Sequence, residues 1–195
     1  LLENCILFYP WKLGDKMKIT LHLEKGDQEI KVDLGFEALE SLNYSFRDIP
    51  ENTEAFEFLS DHPSQSIRSN VASKKYLSTE TIFKLAIDDA DDVRSAIAYN
   101  ERFQKHATIE IIREMLQKGG GAAENIVSYA SSYTKVSIDE IEKVIDELED
   151  PSPRLLQYVA NSYDFSLEII EKLSKHEDAD ISASARESIK NRSDY

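Results

Sequence analysis

The chain has 195 residues, 41% of them hydrophobic, and a formal net charge of −14. That is enough apolar material for a sizeable core, while the charge repels phosphate backbones and no basic stripe overrides it. A single cysteine, Cys5, excludes an intramolecular disulfide framework and an all-cysteine metal site.

The longest apolar run, Cys5–Tyr9, is too short to span a bilayer, and the opening residues lack the basic stretch and small-residue cleavage site of a secretory leader. A cytoplasmic location is therefore expected, with no membrane and no nucleic acid among the partners. Met17 is a candidate natural start. Residues 17–34 alternate, Ile19, Leu21 and Leu23 being answered by Ile30, Val32 and Leu34 across Lys25-Gly26-Asp27. This spacing predicts a β-hairpin with one buried face. A hairpin alone is marginal, so a third strand from Cys5–Tyr9 or a helix over 36–42 is expected to cover it. Residues 1–50 thus read as a small N-terminal α+β cap that shields the first repeat, the alternative being a separate functional module.

From residue 51 to 195 the pattern is helical and repeats. A capping residue followed two positions later by an acid occurs at Asn52, Ser78, Thr108, Ser137 and Ser166, at steps of 26, 30, 29 and 29. Phe56, Ile82, Ile112, Ile141 and Ile170 all lie four residues after the cap; Leu59, Leu85, Met115, Val144 and Leu173 lie seven after it. Each segment is followed by a polar turn and a second amphipathic stretch with apolar residues four apart, such as Ile67/Val71, Val93/Ile97, Ala123/Val127 and Leu155/Val159. Asn100, Asn161 and Asn191 after these stretches read as helix C-terminal residues in the left-handed conformation. The expected fold is mainly α: a solenoid of about five two-helix repeats behind the cap.

The segment Val93-Arg94-Ser95-Ala96-Ile97-Ala98-Tyr99-Asn100, the turn Asp150-Pro151-Ser152-Pro153 and the restart Ser78-Thr79-Glu80 resemble the leucine-rich repeat variant family over roughly residues 52–192. That family is HEAT- and armadillo-like in shape, and the resemblance implies a right-handed superhelix. The units here are longer than the family's usual repeat, and the third has Gly119-Gly120-Gly121 and Glu124 where the pattern has Asp/Pro and Arg. The iron–sulfur module found beside such repeats needs more than one cysteine, so no cofactor is carried over.

Several constellations carry candidate roles. Tyr76, Phe103, Tyr133 and Tyr163 precede the restarts at steps of 27, 30 and 30 and are expected to pack between repeats. Arg68 and Arg94, with Arg154 and Arg186 near their register, follow acidic turns and are expected to form an Asp–Arg ladder rather than an anion-binding row. His62 and His176 read as surface histidines in equivalent turns. The triple glycine, lacking a preceding strand and a following Lys-Ser/Thr, reads as a flexible turn or hinge, not a phosphate loop. No catalytic arrangement and no metal set can be assembled, so a non-enzymatic protein–protein interaction scaffold with an acidic surface is expected, binding a basic partner. Its candidate contacts are Tyr99, Tyr129 and Tyr158 on the second stretches, with Tyr133 and Tyr163 beside them. The alternatives are an inhibitor or immunity-type protein mimicking nucleic-acid charge, and a HEAT-like repeat enzyme acting on DNA, which the net charge disfavours.

Overall fold

A computed structural model describes residues 19–25, 28–34, 38, 41 and 43–193. The chain divides into two compact units, Leu1–Phe46 and Arg47–Tyr195. In the first, β1 (Ile19–Lys25) pairs antiparallel with β2 (Gln28–Leu34), and the register sets Ile19 opposite Leu34, Leu21 opposite Val32 and Leu23 opposite Ile30. Apolar positions therefore meet apolar positions, as the alternation requires. The expected burial of that face is not found: Ile30 is 59% and Val32 38% exposed, so the role of this region as a cap has no support. The candidate third strand at Cys5–Tyr9 and most of the candidate helix over 36–42 lie outside the described residues.

The second unit is mainly helical. Its helices are α1 (Thr53–Leu59), α2 (Gln65–Ala72), α3 (Thr79–Ala86), α4 (Asp91–Ala98), α5 (Glu101–His106), α6 (Ile109–Lys118), α7 (Gly120–Ser128), α8 (Ile138–Asp146), α9 (Pro153–Asn161), α10 (Leu167–Leu173) and α11 (Ala179–Ser193). The unit begins before Glu51, because the Asp48 carboxylate accepts the Lys75 amide at 2.9 Å and so ties residues 47–50 to the end of α2.

Local chemistry explains the starts of α1, α3, α6, α8 and α10. Ser78 and Ser166 accept the third amide of their helices through the side chain, and Ser137 forms a full capping box with Glu140. Asn52 and Thr108 stand at their caps without that bond; the Asn52 side-chain Nδ2 instead donates to the Arg47 carbonyl at 2.7 Å. Leu77, Ala107, Val136 and Phe165, each just before a cap, are buried with the isoleucines five residues on, the two positions of a hydrophobic staple. All ten residues four and seven after the caps are buried.

The second stretches bury four positions each: Ile67, Arg68, Val71 and Ala72 in α2; Val93, Arg94, Ile97 and Ala98 in α4; Ala122, Ala123, Ile126 and Val127 in α7; Leu155, Leu156, Val159 and Ala160 in α9, with Arg68 only partly covered. The first of these positions are separated by 26, 29 and 33 residues, so the second stretches keep a looser period than the caps. In the third stretch the register lies one residue earlier than the Ala123/Val127 pairing suggests, which leaves Glu124 outside it.

Within this unit α2 packs on α4, α4 on α7, α7 on α9, and α9 on α11. Beside this row runs a second: α3 packs on α6 and α6 on α8, with Lys84–Asp61 linking α3 to the end of α1, and Ser166–Glu142 and Lys172–Asp146 linking α10 to α8. The rows pack against each other through α3–α4, α6–α7 and α10–α11, so their outer sides face apart.

Four expectations are corrected. Among the described residues no non-glycine has positive φ; Asn100 is the extended N-cap of α5, accepting from the Arg102 and Phe103 amides and donating to the Ala72 and Lys74 carbonyls, while Asn161 and Asn191 lie within helices. His62 is fully buried rather than on the surface, and its Nδ1 accepts the Ser64 amide at 3.0 Å, the same contact His176 makes with Asp178. The triple glycine is a cradle, not a hinge. Gly121 and Ala122 donate their amides to the Asp91 carboxylate at 2.9 and 3.2 Å. Gly120, at φ 76, has no room for a side chain, since a Cβ there would sit 2.6 Å from Asp91 Oδ1. Finally, of the aromatic series only Phe103 and Tyr133 stack, edge-to-face at 5.9 Å; Tyr163 is exposed and the buried ring nearby is Phe165.

Candidate functional site

Three of the five tyrosines singled out in the sequence come together. Tyr99 and Tyr129 are the closing residues of α4 and α7, and Tyr158 lies on α9, the next helix in the same row. All three are exposed, by 53%, 39% and 38%. The Tyr99 and Tyr129 rings meet edge-to-face with centroids 5.0 Å apart. The Tyr99 hydroxyl is held above its ordinary value, first by partial desolvation and then by its neighbours Tyr129 and Tyr158. Arg154 lies beside Tyr158, and that neighbour together with Glu124 holds its guanidinium above the ordinary value. Arg154 Nε lies 3.0 Å from Glu124 Oε2, bridging α9 to α7. The sequence sets Arg154 near the register of Arg68 and Arg94, but it precedes Leu155, the first buried position of α9, whereas those two follow theirs, so it pairs across the surface instead of within the ladder.

The other two tyrosines do not join them. Tyr133 is 5% exposed, packs on Phe103, and its hydroxyl has no hydrogen-bond partner; burial pushes its pKa upward. It is a core residue. Tyr163 is exposed but lies under the Arg192 guanidinium, whose carbon is 5.5 Å from the ring centroid.

The arginines form a ladder inside the protein. Arg68 grips Asp88 with two bonds of 2.7 and 2.9 Å and reaches the His62 carbonyl at 2.8 Å. Arg94, one unit on, donates to the Asp88 and Asp89 carbonyls at 2.8 and 2.9 Å and to Asp91, whose carboxylate holds the start of α7. Arg68 has all three guanidinium nitrogens engaged and Arg94 is 5% exposed with both terminal nitrogens engaged, so the two offer no row for an external anion. Arg154 and Arg186 stand outside the ladder, the latter donating to the Ser174 carbonyl.

Charge is divided between the rows. The helices α1, α3, α6, α8 and α10 carry eleven acids against five bases, whereas α2, α4, α7, α9 and α11 carry five acids against six. The acidic row is crossed by shallow grooves, one lined by Asp139, Glu142, Asp146, Glu168 and Lys172. Several of these carboxylates are already tied, Glu142 to the Ser166 amide at 3.0 Å and Asp146 to Lys172. The exposed and half-exposed residues of α4, α7 and α9 include Ser95, Asn125, Ser128, Gln157 and Asn161, together with Asp92 and the Arg154–Glu124 pair. The tyrosines thus sit on a near-neutral face, away from the acidic field in which the sequence alone would place them.

Among the described residues no group of three or more His, Cys, Asp or Glu side chains could hold a metal ion, and no helix is long and apolar enough to cross a membrane. Comparison with protein-family models, with curated proteins and with solved structures returns no match to this chain.

Proposed function

We propose that this protein is a non-enzymatic protein-interaction scaffold: a right-handed helical solenoid of the leucine-rich repeat variant type that docks a basic partner protein across the tyrosines of α4, α7 and α9. The two rows of sequentially packed helices support the solenoid reading. The observation that carries the functional reading is the exposed Tyr99–Tyr129–Tyr158 row. Tyrosine supplies large contact area for little lost side-chain freedom, and Tyr, Ser and Asn together make a surface suited to adaptable protein recognition. The net charge of −14 steers basic partners toward the molecule, even though its densest acidic face lies on the other row. A single cysteine goes with a cytoplasmic setting.

The test is affinity capture from source-cell lysate with the wild-type protein and with the triple variant Tyr99→Ala, Tyr129→Ala, Tyr158→Ala, in low and high salt. Loss of a basic protein from the triple-variant capture is expected. Retention of the same proteins by both would overturn the assignment. A captured nuclease that survives loss of the tyrosines but is released by salt would favour the charge-mimic reading through the acidic row.

A further inference from the structure

The two rows treat their helix ends differently. Free carbonyls at a helix C-terminus carry partial negative charge and favour a nearby cation. In the acidic row α3, α6, α8 and α10 each hold a lysine in the last turn: Lys84, Lys118, Lys143 and Lys172. In the other row α4, α7 and α9 hold none.

At α9 the chain supplies the missing cation from elsewhere. Arg192, on α11, donates to the carbonyl of Ser162, the residue that closes α9, and to the Phe165 carbonyl at 2.8 Å. The same guanidinium lies over the ring of Tyr163 at 5.5 Å. A helix end, a tyrosine beside it and an arginine joining the two therefore form one assembly. The ends of α4 and α7 possess the first two parts: Tyr99 and Tyr129 close these helices and stand exposed. Among the described residues no cation lies over either ring.

We infer that the ends of α4 and α7 form an arginine subsite, where a guanidinium from an extended, Arg-bearing segment of a basic partner protein stacks on Tyr99 and Tyr129 as Arg192 does on Tyr163. This rests on the docking role proposed above and names the chemistry of the docked segment. The net charge of −14 draws a basic segment at long range; at short range the subsite offers two tyrosine rings and, at the helix ends, the second lone pairs of the Ala98 and Tyr129 carbonyls, which already accept from Gln104 and Ser132. Arginine suits it better than lysine, because a planar, weakly hydrated guanidinium can stack on a ring while its edge still donates to carbonyls.

Fluorescence anisotropy with labelled Arg-Gly-Ser repeat peptides, and with Lys and Glu counterparts of the same length, tests it. The wild type is expected to bind the Arg peptide more tightly than the Lys peptide and the Glu peptide least. The double variant Tyr99→Leu, Tyr129→Leu keeps apolar area but lacks the ring faces, and should lose about tenfold for the Arg peptide. Tyr99→Phe with Tyr129→Phe should keep the affinity, because the ring quadrupole remains. Equal binding of Arg and Lys peptides by the wild type, or unchanged Arg binding by the leucine variant, overturns the subsite. If the alanine triple variant loses its captured partner while Arg-peptide binding is unaffected by leucine, the subsite fails and the docking row stands. If neither measurement responds, both fail.

Discussion

The two helical rows differ in how they are held and in what they display. Helices α1, α3, α6, α8 and α10 are chemically uniform: polar caps, an acid in the first turn and, in four of them, a lysine in the last. Helices α2, α4, α7, α9 and α11 are individual, with an arginine, an alanine, a leucine or a serine at the same buried position. The first row ties neighbours by surface pairs such as Lys84–Asp61. The second ties them through less exposed contacts, Arg68 on α2 reaching Asp88 before α4 and Asp91 on α4 holding the first amides of α7. Regular local signals set the spacing of the first row, and the irregular row carries the more specific internal contacts.

Denaturant titrations of single variants can break that contrast. The largest loss is expected for Arg94→Met, about 3 kcal/mol, because two turn carbonyls and Asp91 lose a shared, buried donor. Lys84→Met in the other row should fall within about 0.5 kcal/mol of wild type, as an exposed pair would. Similar losses in both would show that the rows are held alike.

Gly120→Ala is expected to cost about 2 kcal/mol, combining an unfavourable backbone with displacement of the Asp91 carboxylate. Gly119→Ala, at φ 66 with open space around it, should lose about 1 kcal/mol from the backbone alone. Equal losses would mean that the cradle adds nothing to the link between α4 and α7.

Tyr133→Phe should raise the unfolding midpoint, gaining about 1 kcal/mol, since it deletes a buried hydroxyl that has no partner. Tyr99→Phe on the exposed row should change stability by less than about 0.5 kcal/mol. A destabilised Tyr133→Phe would show that this hydroxyl is bonded in solution.

The smallest effect concerns the caps of the acidic row. Glu140, bonded to the Ser137 amide and hydroxyl, and Glu110, beside Thr108 at the head of α6, are both held below the ordinary carboxylate value. A carboxyl depressed by folding adds stability above its unfolded pKa and loses that contribution as pH falls through the folded value. Glu140→Gln should therefore flatten the acid limb of the stability profile slightly, and an unchanged slope would remove the capping box from the account.

The acidic row was legible because its signal is local. Ser78, Ser137 and Ser166 cap within three residues, and the apolar residues four and seven beyond them must turn inward on any helix that starts there. The second row was harder to read, because its steps of 26, 29 and 33 residues absorb the 3-10 turn at Ala130–Ser132 and a glycine start that no propensity predicts. Tyr99, Tyr129 and Tyr158 were legible as a surface row. Tyr133 was not separable from them, since its distance from the edge of a helix says nothing about which side of the following turn it takes. His62 and Asn100 were misread for different reasons: His62 accepts an amide within its own turn, and spacing does not show that the turn is buried, whereas Asn100 serves carbonyls at the end of α2, a long-range satisfaction that leaves no trace in spacing.

The Asp91–Gly120 contact gives the modules an order. A carboxylate at the head of α4 fits only against a successor that opens with glycine, and Ser152 and Pro153 open α9 with a hydroxyl cap and a closed ring instead. Excising one period, or duplicating another in its place, would therefore set mismatched ends together even where the oily stripes still align. At this junction α4 and α7 are keyed to each other, like two links cut to fit.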